Sequence, residues 1–470
     1  MAKIKKKHLL RIGFESNQSC QAAMVAMEHE AYAKRGREAK LQLLQELLQN
    51  PEAFYKHEIL GATARILKPV EEQETDGPKR PLLREQPLDF EVYGKENIEH
   101  GAMHQMFVAA KLPVAKAAAL MPDAHQGYGL PIGGVLATEG AVIPYAVGVD
   151  IGCRMCLSVF DLKESYLKRN EYQLKQALLE NTTFGTGKGP EKPMDHEVLD
   201  RREFQELPIV KGLKDKAWRQ IGSSGSGNHF VEFGLVRITE SDDRWELPPG
   251  EYLGILSHSG SRGLGAGIAG HYTKVAQQKT RLPKEARHLA WLDMGSEEGM
   301  EYWIAMNLAG DYASACHHHI HERLSKAIGE KPSIMVENHH NFAWQEKLAD
   351  GTDVIVHRKG ATPAGKGVLG IIPGSMTAPG YIVRGRGVQE SIQSASHGAG
   401  RVMSRSKAKA SITGSQMRQQ LKEHRVTLIG GSVDESPMAY KDIGAVMASQ
   451  QDLVDILGTF TPRIVRMAGE

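Results

Sequence analysis

The stretch "PYAVGVDIGCRMC", residues 144–156, sets a carboxylate and a thiol three residues apart in a turn bracketed by Gly148 and Gly152. The apolar run Ala146–Val149 reads as a strand end. The residues after Cys153 read as a resumed strand, with Cys156 in the core. A short strand that delivers polar side chains into a glycine turn is the unit from which the rest of the chain is built.

Four further turns share that construction: "GSGNHFVE" (225–232), "LSHSGSR" (256–262), "ENHHNF" (337–342) and "SASHGAGR" (394–401). A sixth, "IIPGSM" (371–376), has the glycine and serine without a ligand. Carboxylate, thiolate and imidazole together suit Mn²⁺, Fe²⁺, Co²⁺ or Zn²⁺ better than Mg²⁺ or Ca²⁺. Asp150, Cys153, His229, His258 and His340 would supply five protein ligands, too few to saturate two ions, so positions stay open for phosphates. Backbone N–H groups in "PGSM" and "HGAGR" suit an anion. Metals, anion cradles and arginines together point to phosphoryl or nucleotidyl transfer. None of these turns has the spacing of a zinc motif, so local spacing alone assigns no ligand.

The densest histidine run, "CHHHIHERL" (316–324), lies in a helical pattern. Only His317 and His321 share a face there, so a solvated or partly packed helix is expected rather than a metal site. Cys20 reads as packing in an N-terminal helix.

Composition bounds the rest. The chain has 470 residues, 41% hydrophobic and 24% charged, which is ordinary for a globular protein. Four cysteines form no disulfide framework, which favours a reducing compartment. The basic N-terminus lacks a secretory h-region, and no apolar run approaches the ~18 residues of a membrane span. A cytoplasmic protein is expected. A formal charge of +2 leaves nucleic-acid contact to local patches. Residues 17–50 carry helical spacing with Pro51 behind them, and 68–89 are rich in proline and charge like a connector. Residues 1–88 are therefore expected as a partly helical appendage, and 89–470 as one mixed α/β body. In that body helices such as 165–180 and 300–328 alternate with short strands.

The eight segments "MPDAHQGYGLPIGG" (121–134), "AVGVDIGC" (146–153), "GSGNHFVE", "SHSGSR", "HHNFA", "HRKGA" (357–361), "PGSM" and "SHGAGRVMSRSKA" (396–408), in this order, resemble the RtcB family of GTP-dependent RNA ligases. The resemblance runs from about residue 89 to near the C-terminus. It implies an α+β fold with a deep pocket for two Mn²⁺ ions, Co²⁺ or Zn²⁺ fitting the same ligands. Asp150, a bridging Cys153, His229, His258 and His340 would hold them; in "ENHHNF" the histidine before the asparagine matches, so His339 is not implied. His397 would attack the α-phosphate of GTP to form a histidine–GMP adduct. GMP would pass to an RNA 3′-phosphate, and a 5′-hydroxyl of another end would displace it. A 2′,3′-cyclic phosphate would first be opened by water.

For GTP the resemblance implies Asn228, His229, Phe230, Val231, Glu232, His340, Asn341, Pro373, Gly374, Ser375, Met376, His397, Gly398, Ala399 and Gly400, with Glu232 on the guanine edge. Arg262, Lys359 and Arg401 match basic residues that would hold RNA or phosphate. An archease-type activator is known for some members of the family. Two positions depart from the pattern: Gly380 stands where a nucleotide-contacting serine is expected, and "PRIVRMAGE" (462–470) has no lysine for the guanine, with Arg466 available as a substitute. A two-metal phosphohydrolase using water as nucleophile is the alternative that the same ligands allow.

Overall fold

The computed structural model describes residues 4–33, 35–55, 57, 59–68, 83–245 and 247–469. They fall into two compact units, one within Met1–Lys79 and one within Arg80–Glu470. Most of the expected connector, residues 69–82, lies outside the described residues.

In the first unit, helices Lys6–Ile12, Asn17–Glu28, Glu30–Ala33, Arg37–Gln49 and Gly61–Leu67 enclose a small core of Leu9, Phe14, Ala23, Met27, Leu44 and Leu47, with Cys20 among them. The helical stretch 17–50 is thus broken into three, with Ser16 capping the first by accepting from Ser19 N–H.

The second unit is α+β, as expected. An eight-stranded sheet carries, in order, Leu369–Ile372, Gly380–Gly385, Val454–Met467, Phe230–Ile238, Gly250–Ser259, Arg154–Phe160 and Ile334–His339, with Thr427–Ile429 added beside Val454–Met467. A five-stranded sheet carries Glu91–Val92, Ala115–His125, Ile132–Thr138, Asp353–Lys359 and Asn341–Lys347. A two-stranded ladder pairs Ala361–Pro363 with Ser394–Ser396. The expected helix 165–180 is two helices, Glu164–Arg169 and Glu171–Asn181, meeting at Asn170, whose side chain bonds back to the Tyr166 carbonyl.

The opening stretch is corrected in one respect. Ala146 and Val147 do not end a strand; Pro144–Val147 is a single helical turn. Proline at its first position pre-sets φ, and Gly148, at φ 103°, stops it. The resumed strand at Arg154 is as read.

Alternation along that strand decides what each face meets. Met155, Leu157 and Val159 pack with Ile371 and Phe460 on one side. Arg154, Cys156 and Ser158 turn to the other, against the long helix Glu297–Ile328. The histidine run lies on that helix, which is partly packed there: His317 and His321 are fully buried and His318 is exposed. Cys156, His317 and His321 bring their ligand atoms within 4.8 Å of one another. Every ring nitrogen of these two histidines is nonetheless occupied. Ser158 Oγ meets His321 Nδ1 at 2.7 Å, and Ser257 Oγ meets His321 Nε2 at 2.7 Å and His317 Nδ1 at 2.6 Å. His317 Nε2 lies 3.2 Å from the Ser259 carbonyl, to which it donates. Donors and acceptors balance with both rings neutral, which is a structural clamp between helix and sheet.

Arg358 ties the five-stranded sheet to the segment that precedes His397. Only 1% exposed, its guanidinium donates to both Glu346 oxygens (2.6 and 3.0 Å), to Ser394 Oγ (2.7 Å) and to the Ile392 carbonyl (2.9 Å). No helix of the described residues is long and apolar enough to cross a membrane.

Removing one partner of a buried ion pair leaves the other uncompensated, so Arg358→Met is expected to cost about 3–5 kcal/mol, read as a lower urea midpoint. Burial holds His317 well below its ordinary value and takes His321 to about 3 and His357 to about 4. The unfolded chain therefore binds more protons than the folded one below pH ~6.5, and stability falls with pH in that range. The expected slope is about 1.4 kcal/mol per pH unit for each such histidine, measured as urea midpoints between pH 7 and pH 5.

Candidate active site

Strand register assembles the site. His258 lies opposite Met155 on one neighbour and opposite Phe230 on the other, and Arg154 lies opposite His339. Cys153, His229 and His340 each sit one residue beyond these pairs, so four segments far apart in sequence bring a thiol and three imidazoles to one sheet end. Cys153 Sγ is 3.4 Å from His229 Nε2 and 3.2 Å from His258 Nε2. His258 Nε2 is 3.1 Å from His340 Nε2, and Asp150 Oδ2 is 2.9 Å from His229 Nε2. His339 turns away and stacks on Trp344 at 5.0 Å.

The donor set fits a metal ion. His258 donates from Nδ1 to the Asn228 carbonyl (2.9 Å), which leaves a lone pair on Nε2 aimed at the cluster. Nδ1 of His229 and of His340 are buried without a partner. Lone pairs converge here with too few protons to pair them, unlike the balanced Cys156 cluster.

Burial, then the neighbouring Asp150 charge, push the Cys153 thiol well above its usual value. Burial, then His229, take His258 down to about 3, and burial, then His397, hold His340 well below its usual value. For Asp150 burial is the largest single effect and acts upward, but the hydrogen bonds of His229 and Cys153 and the charges of His229 and His258 together outweigh it, and the carboxyl ends lowered. Without an ion the cluster thus holds a neutral thiol and the neutral imidazoles of His258 and His340 near the Asp150 carboxylate. A cation would supply the charge that lets the thiol ionise.

His397 follows directly on the strand Ser394–Ser396. Its ring centroid is 4.9 Å from that of His340. Its Nδ1 lies 2.6 Å from Asp123 Oδ2, and its backbone N–H donates to the same oxygen at 3.2 Å. Asp123 therefore holds the tautomer that leaves the Nε2 lone pair free. Asp123 is fully buried on the strand Ala115–His125, and the sequence motif around it does not by itself mark it as the partner of His397. A carboxylate within the otherwise apolar run 117–124 is the available signal.

One cavity connects all of this, and its wall contains every implied residue except Val231 and Arg262. Val231 faces the opposite side of its strand, in the core with Phe233. Arg262 donates to Ser223 Oγ and to the carbonyls of Gly185 and Lys188. Glu232, 3% exposed, reaches the cavity, and burial raises its carboxyl well above the usual range. Lys359 is lowered to about 7 by burial and donates to the carbonyls of Tyr128 (2.5 Å) and Tyr145 (3.2 Å). Arg401 pairs with Glu435 at 3.3 Å and donates to the Asp434 carbonyl at 2.6 Å. Gly380 lines the wall; Arg466 does not, and donates instead to the Leu178 carbonyl beneath the Phe184 ring.

Residues 105–208 and 203–468 match the family model described as tRNA-splicing ligase RtcB. The RNA-splicing ligase RtcB of Escherichia coli is 36% identical over 397 residues, 77% of this chain and 93% of that protein. The tRNA-splicing ligase RtcB of Thermococcus kodakarensis is 31% identical over 415 residues, 73% of this chain and 86% of its own. That of Archaeoglobus fulgidus is 30% identical over 466 residues, 83% and 95%.

Adding Co²⁺ as a probe to metal-free protein is expected to raise the melting temperature and to release protons at pH 7, because the thiol must ionise to bind. Cys153→Ala should lose both effects. A variant that keeps proton release and the full thermal shift would remove the thiol from the ligand set.

Proposed function

Because the chain belongs to the RtcB family of RNA ligases, we propose that it joins RNA ends bearing a 3′-phosphate or 2′,3′-cyclic phosphate to ends bearing a 5′-hydroxyl, using GTP and Mn²⁺, in tRNA splicing or RNA repair. The observation that carries this reading is His397: one ring nitrogen is fixed by Asp123, the other is free, and the ring lies beside the ligand His340. A passive RNA binder requires no oriented imidazole at that place, and a hydrolase would use one only as a base for water, without a covalent adduct.

In this reading His397 Nε2 attacks the α-phosphorus of GTP. The new N–P bond forms as the bond to pyrophosphate breaks, and the charge that develops on the ring is stabilised by Asp123. An oxygen of the RNA 3′-phosphate next attacks the guanylyl phosphorus. The N–P bond breaks and His397 returns to its starting state. The 5′-hydroxyl of a second RNA end then attacks the activated 3′-phosphorus, and GMP leaves with the electron pair of the anhydride bond. A 2′,3′-cyclic phosphate is opened by water before the sequence starts.

Asp150, Cys153, His229, His258 and His340 are the residues that would hold Mn²⁺, whose charge offsets that of the triphosphate. The N–H groups of Pro373–Met376 and Gly398–Gly400, proline excepted, suit phosphate oxygens. Glu232, ionised on binding, accepts from the guanine edge, which adenine does not match. Lys359, held charged by an incoming phosphate, serves the RNA end. An archease-type activator fits the same reading as a partner in turnover.

The test is labelling with α-radiolabelled GTP or ATP in Mn²⁺. GTP alone is expected to give an acid-labile, alkali-stable protein adduct, and His397→Ala to give none while folding normally. Equal labelling by ATP would defeat guanine selectivity. Release of phosphate with no adduct would make the protein a hydrolase.

A further inference from the structure

Three rings meet beside the cavity on a surface that none of these steps uses. Tyr128 stands in the turn between Ala115–His125 and Ile132–Thr138 and is 68% exposed. It packs edge-to-face against Tyr145, with centroids 6.5 Å apart at 77°, and against His288, at 6.0 Å and 68°. Tyr145 and His288 stack on each other at 5.0 Å and 29°. Gly129, at φ 71°, brings the turn so close that a Cβ there would lie 3.1 Å from His288 Cβ. The turn is thus held against His288 while most of the Tyr128 side chain stays in solvent.

A single exposed tyrosine needs no explanation. Three mutually packed rings joined to a cavity by a buried cation do. Lys359 makes the joint: its ammonium lies 5.0 Å from the Tyr145 ring centroid and donates to the carbonyls of Tyr128 and Tyr145, and the same side chain lines the cavity. Arg287, exposed, adjoins His288. A ring offered to solvent next to a cation that faces a phosphate site has the chemistry of single-stranded nucleic-acid recognition, in which a base stacks and the adjacent phosphate is neutralised.

We propose that Tyr128, backed by Tyr145 and His288, is a stacking platform for an unpaired nucleobase of an RNA end whose terminal phosphate or hydroxyl enters the cavity past Lys359. This rests on the RNA-joining reading and extends it to the substrate's bases. Stacking needs only a π-face, so the platform accepts any base and favours frayed or unpaired ends over flush duplex.

The experiment measures binding of a fluorescent RNA by anisotropy, without GTP, so that no joining occurs. Oligonucleotides with a 3′-phosphate or a 5′-hydroxyl carry an abasic site at the first, second or third position from that end. Wild type is expected to lose about tenfold in affinity when the stacked base is removed. Tyr128→Ala should lose less than twofold between intact and abasic RNA, and Tyr128→Phe should keep the wild-type sensitivity. Because each comparison is made within one protein, a general loss of affinity cancels. Wild type indifferent to base removal at all positions overturns the platform whatever the variants do. So does a Tyr128→Ala protein as base-sensitive as wild type. Failure of the RNA-joining reading shows separately, as wild type that binds neither intact RNA nor labels with GTP.

Discussion

Four antiparallel strands held in one register are the constraint on which the site depends. Pairing of His258 with Met155 and with Phe230, and of Arg154 with His339, fixes which residues emerge at that end of the sheet. A slip of one residue would turn each ligand to the opposite face. The register is specified because both faces of these strands are buried, one against Ile371 and Phe460, the other against the helix Glu297–Ile328. The Ser158–His321–Ser257–His317 chain adds direction to that specification, since its hydrogen bonds balance only in this alignment.

Electrostatics follow from the same packing. Two clusters of thiol and imidazole lie on opposite faces of the strand Arg154–Phe160, both desolvated, and they differ in proton accounting. Behind the sheet each ring nitrogen has a partner, and nothing further is needed. In front of it, nitrogens face one another and a thiol faces a carboxylate, which is stable in combination with added positive charge. Composition treats Cys153 and Cys156 alike; hydrogen bonding separates them.

The basic residues of the cavity wall differ in how they are held. Arg401 is held by Glu435, whereas Lys359 has two carbonyl oxygens and the Tyr145 ring, and no carboxylate partner among the described residues. An anion entering the cavity therefore meets two cations already paired with carboxylates, Arg401 and Arg405, and one, Lys359, whose burial has weakened its charge. Of the three, Lys359 has most to gain from an added negative charge.

Much of this was legible in the chain. The glycine turns, the residue types within them and their order marked the side chains that converge on the cavity, because backbone freedom and donor chemistry are local properties. The broken helices at 164–181 and the helical turn at 144–147 were misread at their edges, where single residues such as Asn170, Pro144 and Gly148 decide. Tertiary structure alone decided that Asp123 orients His397, that Arg466 is engaged by Leu178, that the 317–321 histidines are a clamp, and that Tyr128 meets Tyr145 and His288. Each of those facts is a contact between segments remote in sequence. Hydrogen-bond partners and desolvation arise only when the chain is folded, so sequence names the groups and the fold assigns their protons.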